Sequence, residues 1–344
     1  MIERSISCLL SVKYLNVLYM RRLLLIPMLF VLGVISAEAQ SVDYSVVNAM
    51  EERGIDFMQV TQSNDYVCMP IVKRHGGTLS WLSNRILDIS ADGKYIAYVS
   101  ARNGTTNIFI KELGKQGGSI QRTNRQAIVD FTYSPDGRSI VFSENRGATN
   151  QIFVTDAVNG YVCRQITTSN LDYSPIYTPK MDKILFSRLE NNGVAIWGYD
   201  VKSNFLSSYS SGMNPYPMSN TDTYLCARAN SSGRGEIWKI NYSTGVEECI
   251  VSDPSRSFTT PVLSPDGRWI LFVGESEIVA PNFVYKNTDI YACRIDGTGM
   301  VQLTYHAADD LSPVWSRCGK YIYFISQRGS ATATANIWRM PFVY

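Results

Sequence analysis

Arginine is the residue type whose spacing most suggests binding chemistry in this 344-residue chain. Five arginines lie two to four residues after a short apolar triplet, in five separate segments: Arg102, Arg146, Arg188, Arg228 and Arg328. A guanidinium forms forked ion pairs with carboxylates, so arginines gathered around one opening would suit an acidic peptide or a uronic-acid glycan. The alternative is that each arginine pairs with a nearby Asp or Glu or extends into solvent.

A second set of polar residues falls in the connections between these segments, and we expect it at the same opening. Its members are Asn84, Arg85, Arg125, Asn170, Asp172, Asn214, Arg256, His306, Asp309 and Asp310. The last three form the densest cluster, and a histidine beside two carboxylates could act as an acid–base pair or as one edge of a metal site. With only two histidines, the chain cannot build a multi-histidine transition-metal site. Calcium held by Asp172, Asp309 and Asp310 is the remaining cofactor alternative. The favoured interpretation is a structural loop and no cofactor.

Signatures of hydrolytic and phosphate chemistry are absent from the sequence. It has no Gly-x-Ser-x-Gly nucleophile turn, no His-Glu-x-x-His and no Gly-x-x-x-x-Gly-Lys-Ser/Thr loop. We therefore predict a protein without catalytic residues. The minority alternative is a polysaccharide lyase or another glycan-active protein.

Six internal repeats position these residues. Their apolar triplets begin at residues 96, 140, 184, 224, 270 and 322. In the clearest copies the triplet follows a Ser-Pro-Asp-Gly turn, at 134–137 and 264–267. Each copy also has a second apolar segment that follows the triplet. Four short strands in a unit of about 40–45 residues are typical of a propeller blade. The sequence thus predicts an all-β, six-bladed β-propeller in which the turn aspartates are structural.

The last repeat reaches Tyr344 one strand short of a complete blade, so a strand from the N-terminal side is needed to close the ring. Residues 65–71 resemble 160–166, the outer strand of the second blade. We therefore expect 66–72 to pair with 336–341. The predicted organisation is a connector with a short helix at 40–65 and a propeller at 66–344.

The Ser-Pro-Asp-Gly turn, the apolar triplet after it and the later Ile-Phe or Ile-Trp strand resemble the repeats of TolB-like (WD40-like) β-propellers. The resemblance covers roughly 66–344. It does not extend to the separate N-terminal domain that precedes the propeller in TolB. It implies the fold more strongly than the function, because such propellers serve as periplasmic adaptors, peptidase gating domains and occasionally lyases.

The first residues predict export. Met20-Arg21-Arg22, the apolar stretch 23–35 and Ala37-Glu38-Ala39 form a secretory signal peptide, with cleavage expected after Ala39 and Met20 as an alternative start. We expect a periplasmic protein, with outer-membrane association as an alternative. No apolar run is long enough for a transmembrane segment. The net charge of +2 gives no footprint for nucleic acid.

Six cysteines follow the signal peptide, and we predict free thiols. Cys68, Cys163 and Cys249 fall on outer strands of different blades, while Cys226 and Cys249 fall on the second and fourth strands of one blade, with the third between them. Residues 274–287 are an insertion in the fifth repeat, predicted to be a loop at the opening that is either a binding element or an inert excursion. Together these features predict an exported, non-catalytic interaction or scaffolding module of the cell envelope. Its expected partner is another envelope protein or peptide. The alternative function is recognition or cleavage of an acidic oligosaccharide at the channel mouth.

Overall fold

The structure is a computed structural model that describes residues 52, 54–70, 73–75, 78–80, 85–219, 221–280, 283–330 and 332–344. The predicted signal peptide, most of the predicted helix before residue 54, and Asn84 lie outside the described residues. Within them the chain is built from β-strands with short 3₁₀ turns, which confirms the all-β prediction. Among the described residues, no helix is long and apolar enough to cross a membrane.

Twenty-six strands can be assigned in the described part of the chain. The first three are β1 (Met58–Gln59), β2 (Lys73–His75) and β3 (Thr78–Ser80), of which the last two pair as a hairpin. Sheet 1 contains β4 (Leu87–Ile89), β5 (Tyr95–Ser100), β6 (Asn107–Glu112) and β7 (Ile120–Gln121). Sheet 2 contains β8 (Ile128–Tyr133), β9 (Ser139–Asn145), β10 (Asn150–Asp156) and β11 (Cys163–Gln165). Sheet 3 contains β12 (Leu171–Tyr177), β13 (Lys183–Glu190), β14 (Gly193–Asp200) and β15 (Leu206–Ser211).

The second half of the chain continues in the same way. Sheet 4 contains β16 (Met213–Pro217), β17 (Thr223–Ala229), β18 (Gly235–Asn241) and β19 (Glu247–Val251). Sheet 5 contains β20 (Arg256–Leu263), β21 (Trp269–Ala280), β22 (Phe283–Arg294) and β23 (Val301–Gln302). Sheet 6 contains β24 (Asp310–Trp315), β25 (Tyr321–Ser326), β26 (Asn336–Pro341) and β1. Sheets 2 and 3 are joined by one parallel pair, Asn150 with Leu171.

The first strand of each sheet is an inner strand. Each inner strand contacts the inner strand of the following sheet, and β24 of sheet 6 contacts β4 of sheet 1. The predicted apolar triplets lie in the second strands, where Ile96, Ile140, Ile184 and Ile270 are fully buried between sheets. One core cluster spans the boundary between the last and first sheets, because it contains both Ile325 and residues of sheet 1.

The Ser-x-Asp-Gly turns connect the first and second strands, and their aspartates are structural, as predicted. In the turn of sheet 2, the Ser134 hydroxyl donates to Asp136 at 2.6 Å, and the Arg138 N–H donates to the same carboxylate at 3.0 Å. Sheets 1 and 5 repeat this arrangement with Asp92 and Asp266. The serine hydroxyl is the main cause that holds the pKa of Asp136 below its ordinary value.

The strand that completes sheet 6 differs from the one predicted. Met58 pairs with Arg339 and Gln59 with Trp338, whereas residues 66–72 were expected at this edge. Tyr66 adopts a left-handed conformation (φ 48°), and Val67 forms an isolated bridge to Ser100 of sheet 1. The prediction was wrong because the match to 160–166 reflects a shared β-forming composition, which does not specify the pairing partner.

Two further predictions concern the insertion and the cysteines. Residues 274–287 are not a loop, because β21 and β22 continue through most of the insertion as a long antiparallel hairpin. All six described cysteines are free thiols: Cys68, Cys163, Cys226, Cys249, Cys293 and Cys318. Cys226 and Cys249 lie on the second and fourth strands of sheet 4, with β18 between them.

Candidate functional site

A cavity of about 240 Å³ lies at the centre of the molecule, and residues from all six inner strands line it. We call it the vestibule. Its walls come from the C-terminal halves of the inner strands and from the turns that follow them. This is the opposite end of the inner strands from the one where the sequence placed the channel mouth.

Four aromatic residues and five prolines are among the 23 residues that line the vestibule. Its ring-bearing residues are Tyr133, Tyr177, Tyr216, Trp315, Pro135, Pro179, Pro217, Pro265 and Pro313. The turn prolines have a fixed φ and carry no N–H, so they present a rigid apolar rim. At the corresponding position of the sheet 6 turn the chain has Arg317 instead of proline. A rim of this kind suits an extended peptide, because it offers flat apolar contacts beside hydroxyl groups such as those of Thr132, Ser134 and Ser264.

Arg85 forms part of the vestibule lining. It is only 5% exposed, and its guanidinium reaches from sheet 1 across to the opposite sheets. Nη2 donates to the Asn214 carbonyl at 3.1 Å, and Nη1 donates to the Ser174 carbonyl at 3.5 Å. Nε has no hydrogen-bond partner among the described residues. Burial lowers the pKa of Arg85 to about 10.

The carbonyls that hold Arg85 come from a bulge that recurs in four inner strands. Ser174, Asn214, Thr260 and Ser312 each have φ between 51° and 55°, and each is followed by a proline. Every one lies where the pairing with the second strand shifts register. A β-bulge leaves backbone groups unpaired, and at two of these bulges the carbonyl accepts from Arg85. The repeated polar residue before proline, four residues ahead of the turn, is a signal that the sequence analysis missed.

Two charged residues besides Arg85, Asp88 and Arg317, line the vestibule. Asp88 accepts from the Tyr133 N–H at 2.8 Å and from the Ile89 N–H at 2.7 Å. Burial raises the pKa of Asp88 above its ordinary value, while Arg317, 4.0 Å away, opposes that shift. The Arg317 side chain is 45% exposed and donates to the Ser90 carbonyl at 3.1 Å, so it links sheet 6 to sheet 1 at the rim.

Most of the arginines predicted to line the mouth instead form ion pairs with nearby carboxylates and pack on aromatic rings. Arg188 forms a two-pronged ion pair with Asp172 (2.7 and 3.0 Å), and its guanidinium carbon lies 4.4 Å from the Trp197 ring centre. The same arrangement of arginine, third-strand aromatic and carboxylate recurs in other sheets. We call it the arginine clamp; its arginines and acids are Arg102 with Asp65, Arg146 and Arg125 with Glu144, Arg228 with Glu247, and Arg256 with Asp253. The aromatic partners are Phe109, Phe153, Trp238 and Tyr291.

Arg328 forms a more buried variant of the clamp, in which its rings are Phe57 and Phe324 in place of a third-strand aromatic. It pairs with Asp310 at 2.6 Å and, in two-pronged form, with Glu52 at 2.9 and 3.1 Å. Its guanidinium carbon lies 4.3 Å from the Phe57 ring centre. Two residues from the N-terminal side of the chain are therefore anchored to sheet 6. The recurrence of arginine in the sequence thus has a structural explanation. The binding of an acidic ligand by a circle of arginine side chains stays a prediction.

The His306 cluster is also integrated into its sheet. His306 Nδ1 accepts from the Ala308 N–H at 2.9 Å, and Asp309 accepts from the Thr288 N–H and hydroxyl at 3.0 and 2.7 Å. Asp310 pairs with Arg328, whereas Asp172 pairs with Arg188 in sheet 3. Within the described part of the chain, no three His, Cys, Asp or Glu side chains are grouped as a metal site would need.

A family model and a curated relative match the chain. The model, described as TolB beta propeller domain, matches residues 87–221. The uncharacterized peptidase YuxL of Bacillus subtilis strain 168 is 25% identical over 210 residues, which is 58% of this chain and 30% of YuxL. The chain therefore spans less than a third of the length of that curated relative.

Solved structures give the same architecture. A protein assigned as TolB from Agrobacterium tumefaciens superposes with a TM-score of 0.56 at 14% identity, covering 77% of this chain and 92% of that one. Oligogalacturonate lyase from Vibrio parahaemolyticus superposes with a TM-score of 0.53 at 12% identity, covering 83% and 96%. At these identities the likeness shows the fold alone.

Proposed function

We propose that this chain is a TolB-like β-propeller whose six four-stranded sheets are the blades of a closed ring, and that it is an exported interaction module of the cell envelope. The vestibule is the surface through which it binds a segment of a partner protein. The single observation that carries this proposal is the convergence of all six inner strands on one aromatic and proline-lined cavity. Such convergent, largely apolar clefts are the usual binding sites of protein scaffolds.

The arginine clamps support a structural role for the loops at the other end of the inner strands, where the sequence placed the channel mouth. Guanidiniums already paired with carboxylates and stacked on aromatic rings would have to break those contacts before they bound a ligand. The vestibule rim, by contrast, offers Tyr177 and Tyr216 partly exposed. We therefore place the partner surface at the turn end of the inner strands.

The test is crosslinking and purification of the tagged protein from its native envelope. Arg317→Glu reverses a charge at the vestibule rim. The matched control, Arg268→Glu, reverses an exposed charge next to the equivalent turn of sheet 5, outside the vestibule. We expect a stoichiometric partner with wild type and the control, and at least tenfold less of it with Arg317→Glu. Equal recovery with both variants would move the interface away from the vestibule.

A further inference from the structure

The vestibule holds a buried cation, Arg85, that has no ion-pair partner among the described residues. A guanidinium has five N–H donors, and the described residues accept from two of those of Arg85, both times through a backbone carbonyl. No carboxylate oxygen among the described residues lies within 4.0 Å of it. The clamp arginine Arg188, which is buried to a similar extent, has a two-pronged carboxylate partner.

The nearest acids do not supply the missing partner. Asp130 in sheet 2 is fully buried and accepts from the Ser143 hydroxyl and from the Ser174 N–H at 2.8 Å. Asp88 is held by two backbone N–H groups and lies beside Arg317. The charged residues that line the vestibule are Arg85, Asp88 and Arg317, so cations outnumber carboxylates there.

We propose that the partner segment carries an Asp or Glu whose carboxylate enters the vestibule and pairs with Arg85. This inference rests on the proposed function and specifies the chemistry of the partner. A buried charge is costly unless it is paired and hydrogen-bonded, so a ligand carboxylate gains from a cation that the fold has already removed from water. The cavity volume of about 240 Å³ is enough for one acidic side chain of such a segment.

The probe is a positional-scanning library of end-blocked octapeptides with Asp, Glu, Asn or Gln fixed at each position in turn. We expect wild type to prefer an acidic residue over its amide at one position by at least tenfold. Arg85→Gln should abolish that preference, and Arg85→Lys should retain part of it, because the charge remains without the fork. Thermal unfolding of each variant verifies that it is folded. Arg228→Gln is the control, since it removes a guanidinium outside the vestibule from a partly exposed ion pair and should leave the preference intact.

The outcomes separate this inference from the proposed function. Peptide binding that is lost in Arg317→Glu but shows no acidic preference would overturn the role of Arg85 and leave the vestibule as the binding site. If no library peptide binds wild type, both proposals fail. Binding of an oligogalacturonide that depends on Arg85, with no peptide binding, would assign the carboxylate to a glycan and overturn the peptide partner.

Discussion

Asp130 is a fully buried carboxylate at the centre of the inner strands, and its protonation is predicted to affect stability. Burial raises its pKa from 3.8 to about 6, although hydrogen bonds from Ser143 and Ser174 oppose the shift. Between these two values the folded protein retains a proton that the unfolded chain has released. Asp130 therefore stabilises the fold fully below pH 4, and its contribution is lost as the pH rises through 6.

The prediction is that wild type loses about 3 kcal/mol of unfolding free energy between pH 4 and pH 7 relative to Asp130→Asn, from a pKa shift of about two units. Urea unfolding of both proteins across this range measures the difference. Asp136→Asn is the control, because the pKa of that exposed turn carboxylate is lowered and its effect has the opposite sign. Parallel pH profiles for wild type and Asp130→Asn would contradict the assignment.

At the residue scale, the sequence predicted the turns well and the residues of the proposed binding site poorly. The Ser-x-Asp-Gly turns are local, since Ser134 and Asp136 hydrogen-bond within two residues of each other. Arg85, in contrast, is bonded to residues 89 and 129 positions away. It was one of ten residues in its predicted set, and its importance depends on which strands face it across the molecule.

At the scale of elements, the arginine clamp joins the second and third strands of a sheet. In sheet 3 the side chains are 8% exposed for Arg188 and 0% for Asp172, whereas in sheet 4 they are 17% for Arg228 and 38% for Glu247. An ion pair loses stabilising effect as water screens it, but a buried charge left without its partner is strongly destabilising. The two clamps should therefore differ in what their loss costs.

We predict that Arg188→Met lowers the unfolding free energy by about 3–5 kcal/mol, and that Arg228→Met lowers it by about 1 kcal/mol or less. Urea unfolding measures both. The double variant Arg188→Met/Asp172→Leu, which also removes the orphaned carboxylate, should recover part of the loss. Equal effects at the two sites would show that the clamps act through packing on Trp197 and Trp238 and that the ion pairs contribute little.

Element boundaries were predicted well wherever the apolar triplets recur, because burial between sheets imposes the pattern directly. The strand that completes sheet 6 was predicted wrongly. It is Met58–Gln59, a two-residue strand whose side chains are both exposed, so burial imposes no apolar pattern on it. Its position depends on nearby anchors, among them the Thr61 hydroxyl, which accepts from the Ile337 N–H at 2.8 Å, and the Glu52 carboxylate on Arg328. Such contacts span more than 270 residues and leave no periodic trace in the sequence.

At the scale of the whole molecule, hydrogen bonds link every pair of neighbouring sheets near the inner strands of the described structure. Five of the links join consecutive sheets: Tyr133 N–H to Asp88, Ser174 N–H to Asp130, the Ser174 hydroxyl to Asn214, Asn214 to Thr259, and Trp315 Nε1–H to the Val262 carbonyl. The sixth, Arg317 to the Ser90 carbonyl, joins sheet 6 to sheet 1. The proposed closed ring needs this sixth link, whereas an open row of sheets would lack it.

If the ring is closed as proposed, the amides of the first and last sheets should be as well protected from exchange as those of the middle sheets. In an open array each terminal unit has one neighbour and opens first, whereas in a ring every sheet packs between two. Native-state hydrogen exchange should therefore give inner strands β4 and β24 opening free energies within about 1 kcal/mol of those of β12 and β16, because about 1.4 kcal/mol already corresponds to a tenfold difference in exchange. Exchange in β4 and β24 more than tenfold faster than in β12 and β16 would show that the ring is open between sheets 6 and 1. The vestibule would then lack a continuous wall, and the partner site proposed there would fail with it.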